Sequence, residues 1–466
     1  MRLPELGRRG RIGARLLAGG CLLVALALVL FSLPRSGTAV ATGGAGAAVA
    51  TPLFSPRRAP EVFADAAAAA RVGAAVEAAL AGTDHCVAID DDGGAVLRGG
   101  DDRLLTPAST LKLVTAAGAL AALGEDRTFS TRVVADGDGN LVLVGGGDPV
   151  LATQEYVDRR HGEPARADAQ FTSLESLADA VVAAGVQDVP GALLVDDSLH
   201  EPARELPGWR PEYATEGVVG ALGALAVDQG YATPAAREAA ADPAVTTGER
   251  FAALLRERGV AVRGGVRRGD EPEVGLEVAK ADSPPLGVIV GDMLRGSDNY
   301  IAEILLRDVA AAADASVPGT TAAGIDEVRG RLGGYGVDLA GLDMQDGSGL
   351  SPANRARCAT LVEVLSLARQ PGLGAIDRGL AVAGRTGTLG ESLLHTPLEE
   401  RLRAKTGTLD GVAGLAGVVD APGGLRFALL VQAPFSDAEG RARRDAAAEV
   451  VASFADTPEP APVPAP

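Results

Sequence analysis

Both ends of the chain predict a helix next to β-strands. Residues 63–82 form a long alanine-rich run typical of a helix, and residues 86–100 predict a hairpin that turns at Asp-Gly-Gly. Residues 401–434 predict a further series of strands, and residues 437–456 predict a closing helix. This order predicts an α/β (α+β) protein in which one antiparallel sheet is covered by the first and last helices. An all-helical half is expected between the strands of that sheet.

The middle of the chain has a different character. Residues 131–149 predict a second hairpin, residues 173–186 an amphipathic helix and residues 192–198 a short strand. We therefore predict an inserted α/β region over residues 129–280, and this range is called the insertion below. The main domain is then expected to consist of residues 61–128 and 281–455, with a helical stretch returning near residue 286.

The N-terminus resembles an export signal. Basic residues precede an apolar run over residues 16–33, namely Arg2, Arg8, Arg9, Arg11 and Arg15. We predict a signal peptide or membrane anchor over residues 1–41 and a linker over 42–60, so the folded part is expected on the extracytoplasmic side. The protein is then either secreted or associated with the membrane through this segment. Residues 456–466 predict a proline-rich tail.

Composition excludes several classes of function. The formal net charge of −18 argues against a nucleic-acid partner, which would need a basic surface. The four histidines show no metal-ligand spacing, so we expect neither a metal nor a cofactor. Three cysteines are too few for a disulfide framework; at most Cys86 and Cys358 could pair, and we predict two separate buried thiols instead.

A scarcity of lysine directs attention to three positions. The chain has 43 basic residues, but only Lys112, Lys280 and Lys405 are lysine. Arginine keeps its proton in proteins, whereas a buried lysine amine can lose its proton and act as a base. Lys112 follows Ser109 at the start of an apolar helix, and residues three apart share one helix face. The pair therefore predicts a hydroxyl nucleophile beside an amine.

Two further motifs accompany this pair. Ser297-Asp298-Asn299 opens a predicted helix, where it could be a helix cap only, but the chain has just three asparagines. Lys405-Thr406-Gly407-Thr408 lies on a predicted strand, and Gly407 would let another chain or a ligand approach closely. Residues 383–389 resemble this last motif with arginine in place of lysine, and we interpret them as a structural turn.

In this order, Ser-x-x-Lys, Ser-Asp-Asn and Lys-Thr-Gly form the set found in penicilloyl-serine enzymes. The chain resembles the class C low-molecular-mass penicillin-binding proteins, which are D-alanyl-D-alanine carboxypeptidases and endopeptidases. The resemblance covers about residues 60–455 and includes the further stretches GGGDP, PGW, DGSGLSPANR and LAVAGRTGTL. It implies a penicillin-binding or serine β-lactamase-like transpeptidase fold, peptidoglycan stem peptides as substrates and inhibition by β-lactam antibiotics.

The resemblance also implies roles for single residues. Ser109 is expected to be the nucleophile, Lys112 its general base, and Ser297 a proton relay to the leaving amine. Lys405 is expected to be the fourth catalytic residue, and further substrate contacts are expected from Asn299, Thr406, Gly407 and Thr408. Asn299 would hold the substrate amide, while Lys405 and Thr406 would bind the terminal carboxylate. The backbone N–H groups of Ser109 and Thr408 would form the oxyanion hole. Lys405 is also expected to lower the pKa of Lys112.

Two alternatives share this fold. A class A β-lactamase needs Glu-x-x-Leu-Asn and a class C enzyme needs Tyr-x-Asn, but no asparagine of the chain is preceded in either way. A catalytically silent cell-wall binding protein would be expected to have lost at least one motif. The sequence therefore favours a D,D-peptidase, and leaves open the balance between carboxypeptidase and endopeptidase activity.

Overall fold

The computed structural model describes residues 59–455 except 101, 234, 236, 422 and 423. The predicted signal or anchor, nearly all of the predicted linker and the predicted tail lie outside these residues. No helix in this described part of the chain is both long and apolar enough to cross a membrane.

Strands and helices follow one another along the described residues, with a run of five α-helices between β11 and β12. The strands are β1 Asp84–Asp91, β2 Gly94–Gly99, β3 Ser130–Ala135, β4 Leu141–Val144, β5 Leu151–Ala152, β6 Thr172–Ser173, β7 Asp188–Val189, β8 Leu193–Asp196, β9 Ala261–Val262, β10 Val266–Arg268, β11 Leu276–Asp282, β12 Ala381–Val382, β13 Leu402–Leu409, β14 Val412–Val419 and β15 Leu425–Gln432. The α-helices are α1 Ala59–Ala79, α2 Lys112–Leu123, α3 Gln154–His161, α4 Leu174–Ala183, α5 Glu212–Thr215, α6 Pro243–Glu257, α7 Leu286–Gly296, α8 Asn299–Ala313, α9 Thr321–Gly334, α10 Cys358–Ser366, α11 Ala375–Arg378 and α12 Asp437–Ala455.

The main sheet joins the two ends of the chain. Its strand order is β12-β13-β14-β15-β1-β2, and every neighbouring pair is antiparallel. The first strand pairs with the last, so that Asp84 lies opposite Gln432 and Asp90 lies opposite Arg426. The prediction of one antiparallel sheet built from both ends is confirmed.

Both faces of this sheet are covered. Along β15, Phe427 and Leu429 pack in a core that includes residues of α1 and α12. Ala428 and Leu430 point to the opposite face and pack with the helices of the all-helical half, which include α2, α7 and α8. A strand that is buried on both faces has a nearly continuous apolar sequence, whereas a strand buried on one face alternates apolar and polar residues. The central helix α2 is itself buried along almost its whole length.

A second sheet lies within the insertion. Its strand order is β10-β8-β4-β3-β11, with β4, β8 and β10 parallel and β3 antiparallel to both neighbours. A separate apolar core packs α4 and α6 against this sheet. The strands span residues 130–282. The division of the chain into domains stays a prediction.

The two cysteines of the folded part form a disulfide. Cys86 on β1 and Cys358 at the start of α10 are bonded, with their Cα atoms 5.9 Å apart, and both are fully buried. The prediction of two separate thiols is therefore wrong. The cysteines are 272 positions apart in the sequence, which gave no signal that they are close. They meet because α10 packs on the sheet face that also carries Cys86 and Ala88 of β1.

Candidate active site

Ser109 lies on a turn that the surrounding chain holds tightly. The 3₁₀ turn Ala108–Leu111 leads directly into α2, and Ala108 has a left-handed backbone with φ 46°. A Cβ atom at Gly407 would lie 2.7 Å from the carbonyl oxygen of Pro107, and one at Gly349 would lie 2.0 Å from that of Ala108. Glycine is therefore required at both positions, since β13 and the loop at Gly349 pack directly against this turn.

Lys112 is fully buried, and its ammonium group donates three hydrogen bonds. Nζ lies 3.0 Å from Ser109 Oγ, 2.7 Å from Asn299 Oδ1 and 2.6 Å from the carbonyl oxygen of Ser348. A lysine ammonium has three donors, so each one has an acceptor here. The Ser-x-x-Lys spacing thus places the hydroxyl and the amine within hydrogen-bond distance.

Burial lowers the pKa of Lys112 to about 8. The negative charges of Glu303, Asp346 and Asp298 oppose this shift, whereas the Arg166 guanidinium adds to it. Loss of hydration on burial is therefore the largest cause of the lowered pKa of Lys112. The sequence analysis had expected Lys405 to lower it. An amine with a pKa near neutrality can take a proton from a hydroxyl.

Lys405 on β13 is the second fully buried amine of the site. Its Nζ donates to Ser297 Oγ at 2.8 Å and to the carbonyl oxygen of Thr406 at 2.9 Å. Burial, followed by the positive charge of Lys112, holds the pKa of Lys405 well below its usual range. Each of the two motif serines, Ser109 and Ser297, therefore accepts a hydrogen bond from a buried lysine amine.

The Ser-Asp-Asn motif connects α7 to α8. Ser297 ends α7 with a left-handed backbone, φ 56°, and Asn299 is the first residue of α8. The Asn299 side chain accepts from Lys112 and donates through Nδ2 to the carbonyl oxygen of Val218 at 2.9 Å. Asp298 is the cap of α8 and accepts from the N–H of Ile301. The motif is therefore both a helix cap and part of the site.

The outer edge of β13 beside these groups is paired over only part of its length. In the part of the chain that the structure describes, β12 pairs with β13 only at Ala404 and Arg403. From Lys405 to Leu409 the outer edge of β13 carries no paired strand among those residues. Thr406, Gly407 and Thr408 lie on this stretch. An unpaired strand edge offers N–H and C=O groups to an extended peptide.

Residues 383–389 form a turn, and one of their side chains reaches the site. Thr406 Oγ1 donates to Thr388 Oγ1 at 2.9 Å. Interpretation of this stretch as a turn alone did not identify Thr388. The repeat of Thr-Gly-Thr in both stretches was the available signal. Asp148, the aspartate of the GGGDP stretch, accepts from the N–H of Val150 within its own turn.

Sequence reasoning also missed the support of the Ser348 carbonyl. Glu303 on α8 accepts from the N–H groups of Gly347 and Ser348, and burial raises its pKa to about 7. Asp346 accepts from the N–H of Gly349 at 2.9 Å and from Trp209 Nε1 at 2.9 Å. The stretch DGSGLSPANR, which carried part of the resemblance, contains this loop. In the described residues no group of three His, Cys, Asp or Glu side chains is arranged to hold a metal ion.

The chain matches known proteins over most of its length. The model of the D-Ala-D-Ala carboxypeptidase 3 (S13) family matches residues 74–242 and 231–454. A carboxypeptidase from Mycobacterium tuberculosis is 34% identical over 332 residues, which cover 68% of this chain and 69% of the relative. A D-alanyl-D-alanine carboxypeptidase from an Actinomadura species is 29% identical over 468 residues, with 82% of each chain covered.

The fold also matches a solved structure. The crystal structure of penicillin-binding protein 4 from Haemophilus influenzae superposes with a TM-score of 0.69 at 22% identity, covering 82% of this chain and 98% of that one. The same protein complexed with a β-lactam gives a TM-score of 0.64, at 22% identity and with the same coverage. The expected penicillin-binding protein fold and the resemblance to low-molecular-mass penicillin-binding proteins are confirmed. The chain belongs to the D-Ala-D-Ala carboxypeptidase 3 (S13) family of serine peptidases.

Proposed function

We propose that the protein is an exported D,D-peptidase that cleaves the terminal D-Ala-D-Ala bond of peptidoglycan stem peptides through an acyl-enzyme on Ser109. One observation carries the proposal: a fully buried amine, Lys112 Nζ, lies 3.0 Å from Ser109 Oγ. A nucleophile within hydrogen-bond distance of a base of lowered pKa is the arrangement that covalent catalysis needs. The description of the family and the name of the Actinomadura relative supply the substrate class.

Acylation begins with attack of Ser109 Oγ on the substrate carbonyl while Lys112 takes the hydroxyl proton. The N–H groups of Ser109 and Thr408 stabilise the oxyanion. Ser297 Oγ then relays a proton to the leaving amine, and the contact from Lys405 at 2.8 Å orients this hydroxyl. Asn299, fixed between Lys112 and the Val218 carbonyl, holds the substrate amide. Release of D-alanine leaves the acyl-enzyme, which water hydrolyses.

The substrate is expected to lie along the open edge of β13. An extended peptide can add to this edge through main-chain hydrogen bonds. Lys405 lies fully buried at the start of the open edge and Thr406 is the next residue, so together they would receive the terminal carboxylate. Gly407 supports this position because it lets β13 approach the turn that carries Ser109.

A β-lactam would follow the same first step, because its ring amide and carboxylate imitate D-Ala-D-Ala. The Haemophilus influenzae relative in complex with a β-lactam supports such a ligand for this site. Slow deacylation is expected, since neither glutamate nor tyrosine precedes an asparagine at the spacing that β-lactamases use. This feature favours a penicillin-binding protein over a β-lactamase.

Export is supported by two features. The N-terminal sequence has the basic and apolar segments of a signal or anchor. The buried Cys86–Cys358 disulfide is typical of proteins in oxidising compartments. Both features support a location of the folded part on the side of the membrane where peptidoglycan lies.

Digestion of defined muropeptides tests the proposal. Monomeric pentapeptide and cross-linked dimer are incubated with the protein and with Ser109→Ala, and the products are identified by mass. Loss of one D-alanine from the monomer indicates carboxypeptidase activity, and conversion of dimer to monomers indicates endopeptidase activity. If neither substrate changes, or if Ser109→Ala is equally active, the proposal fails.

A further inference from the structure

The carboxylate of Asp298 is the meeting point between the active-site loop and the insertion. Its Oδ2 accepts from Arg160 Nη2 at 3.0 Å, Arg166 Nη1 at 2.6 Å and Gln229 Nε2 at 2.8 Å. All three donors belong to the insertion, whereas Asp298 follows directly on Ser297. Three side chains of the insertion thus donate to one buried carboxylate, on the residue that follows Ser297.

Gln229, one of these three donors, has a strained backbone conformation. Asp228 and Gln229 both have left-handed backbones, with φ 53° and 56°, which non-glycine residues rarely adopt. Tyr156 Oη donates to Gln229 Oε1 at 2.6 Å, and Asp228 accepts from the N–H of Thr153 at 2.7 Å. Such strained conformations persist only when surrounding contacts fix them, and they cluster at functional sites.

Arg166 makes a second contact that sets it apart from the other donors. While its Nη1 binds Asp298, its Nη2 donates to the carbonyl oxygen of Gly296 at 3.0 Å. One guanidinium therefore bridges the residue before Ser297 and the residue after it. Ser297 between them has φ 56°, and this unusual conformation directs its Oγ to Lys405.

The contacts are between full charges. Burial alone would raise the pKa of Asp298, but Arg166 and Arg160 lower it to about 2, so the carboxylate is ionised. Charge-assisted hydrogen bonds are shorter and stronger than neutral ones, and the planar guanidinium fixes direction as well as charge. Lysine in place of Arg166 could keep the charge but could not reproduce the two directed bonds.

We propose that Arg166 is a positioning residue for catalysis: its guanidinium, supplied by the insertion, holds the Gly296–Asp298 turn so that the Ser297 hydroxyl can deliver a proton to the leaving nitrogen. This inference rests on the proposed function of Ser297. It makes the insertion a required support of the active site.

The test measures the second-order rate constant of acylation by a fluorescent penicillin. We compare the full chain with Arg166→Gln, Arg166→Lys and the control Arg263→Gln, which removes an exposed arginine of the insertion paired with Asp188. Loss of a buried charge-assisted bond is expected to slow acylation by Arg166→Gln about 10- to 100-fold. Arg166→Lys should be intermediate, and Arg263→Gln should equal wild type.

The pH profile adds a measurement that a purely structural role would not change. The charged groups facing Lys112 are Glu303 from α8, Asp298 from the cap of that helix, Asp346 from its loop, Arg166 from the insertion and Lys405 from β13. Arg166 lowers the pKa of Lys112, so its neutralisation in Arg166→Gln should shift the rise of the acylation rate to higher pH. Arg166→Lys keeps the charge and should keep the wild-type midpoint.

The outcomes separate the inference from the function on which it rests. If wild type reacts and Arg166→Gln reacts equally fast with an unchanged midpoint, the inference is overturned. A rate loss in Arg166→Gln that Arg166→Lys shares fully, with both midpoints unshifted and both thermal transitions lowered, would reduce Arg166 to a structural residue and also overturn it. If wild type forms no adduct, the proposed function fails and the inference fails with it.

Discussion

Lys112 Nζ lies 3.0 Å from Ser109 Oγ, although the amine has no solvent-exposed surface. Neither property alone would indicate catalysis, since a surface lysine can touch a serine and a buried lysine can be structural. Together they give a hydroxyl beside an amine whose pKa burial lowers to about 8. This pair explains why a chain that otherwise uses arginine retains a lysine here.

The first prediction concerns Lys112→Arg. A guanidinium cannot accept the proton of Ser109, so we expect turnover to fall by about 10²- to 10⁴-fold, the usual contribution of a general base. Lys280→Arg is the matched control, because Lys280 is half exposed and pairs only with Asp282, at 3.0 Å, among the contacts described. Steady-state hydrolysis of a D-Ala-D-Ala peptide measures both. Near-normal activity of Lys112→Arg with an unchanged circular dichroism spectrum would show that the base is another group.

The second prediction concerns pH. Lys112 must be neutral to act as a base, and burial lowers its pKa to about 8. Below this value the amine is protonated, so the acylation rate should increase as pH rises toward 8 and level off above it. Stopped-flow acylation between pH 6 and about 9.5 measures the profile. A rate that is flat across this range would contradict the assignment of Lys112 as the base.

The third prediction concerns the close approach of β13 to the nucleophile turn. In Gly407→Ala the new Cβ would lie 2.7 Å from the Pro107 carbonyl oxygen, so the strand or the turn must move. We expect a loss of about 1–3 kcal/mol in the free energy of unfolding and slower acylation. Gly330→Ala in α9 is the control, since nothing lies within 4 Å of its Cβ position. Denaturant unfolding and acylation rates should separate the two variants; equal behaviour would show that the contact is unimportant.

The fourth prediction concerns the disulfide. The Cys86–Cys358 bond joins β1 to α10 across a sequence separation of 272. Reduction, or replacement of both cysteines by alanine, should lower the free energy of unfolding by about 2–5 kcal/mol. Unfolding curves with and without reductant measure the change. A thiol titration shows that the disulfide has been reduced. If the unfolding curve of the reduced wild type is then unchanged, the bond does not stabilise the fold.

Much of the fold and of the site could be predicted from residues that lie close together in the sequence. The distance of three residues between Ser109 and Lys112 was enough to predict their contact, because a helix places such residues on one face. The hairpin at residues 86–100 and the strand that carries Lys405 were likewise predictable from short patterns. In these cases the partner of each group lies close in the chain or on the same element.

Long-range contacts could not be predicted in this way. Lys112 also binds the carbonyl oxygen of Ser348, which lies 236 residues away and contributes no side chain to the contact. A backbone oxygen leaves no signature in the sequence. The bonded partners Cys86 and Cys358 and the contact of Arg166 with Asp298 likewise depend on how separate elements pack. Only the folded structure brings these groups together.

The central claim is an acyl-enzyme on Ser109, and mass spectrometry of the protein mixed with benzylpenicillin tests it most directly. We predict one covalent adduct per chain, on the peptide that carries Ser109, and none on Ser109→Ala. The adduct should persist, because the opened ring stays tethered to the acyl carbon and hinders water. A missing catalytic contribution of about 4 kcal/mol already slows deacylation about a thousandfold. Absence of an adduct on wild type, or rapid return of free enzyme with hydrolysed drug, would contradict the account.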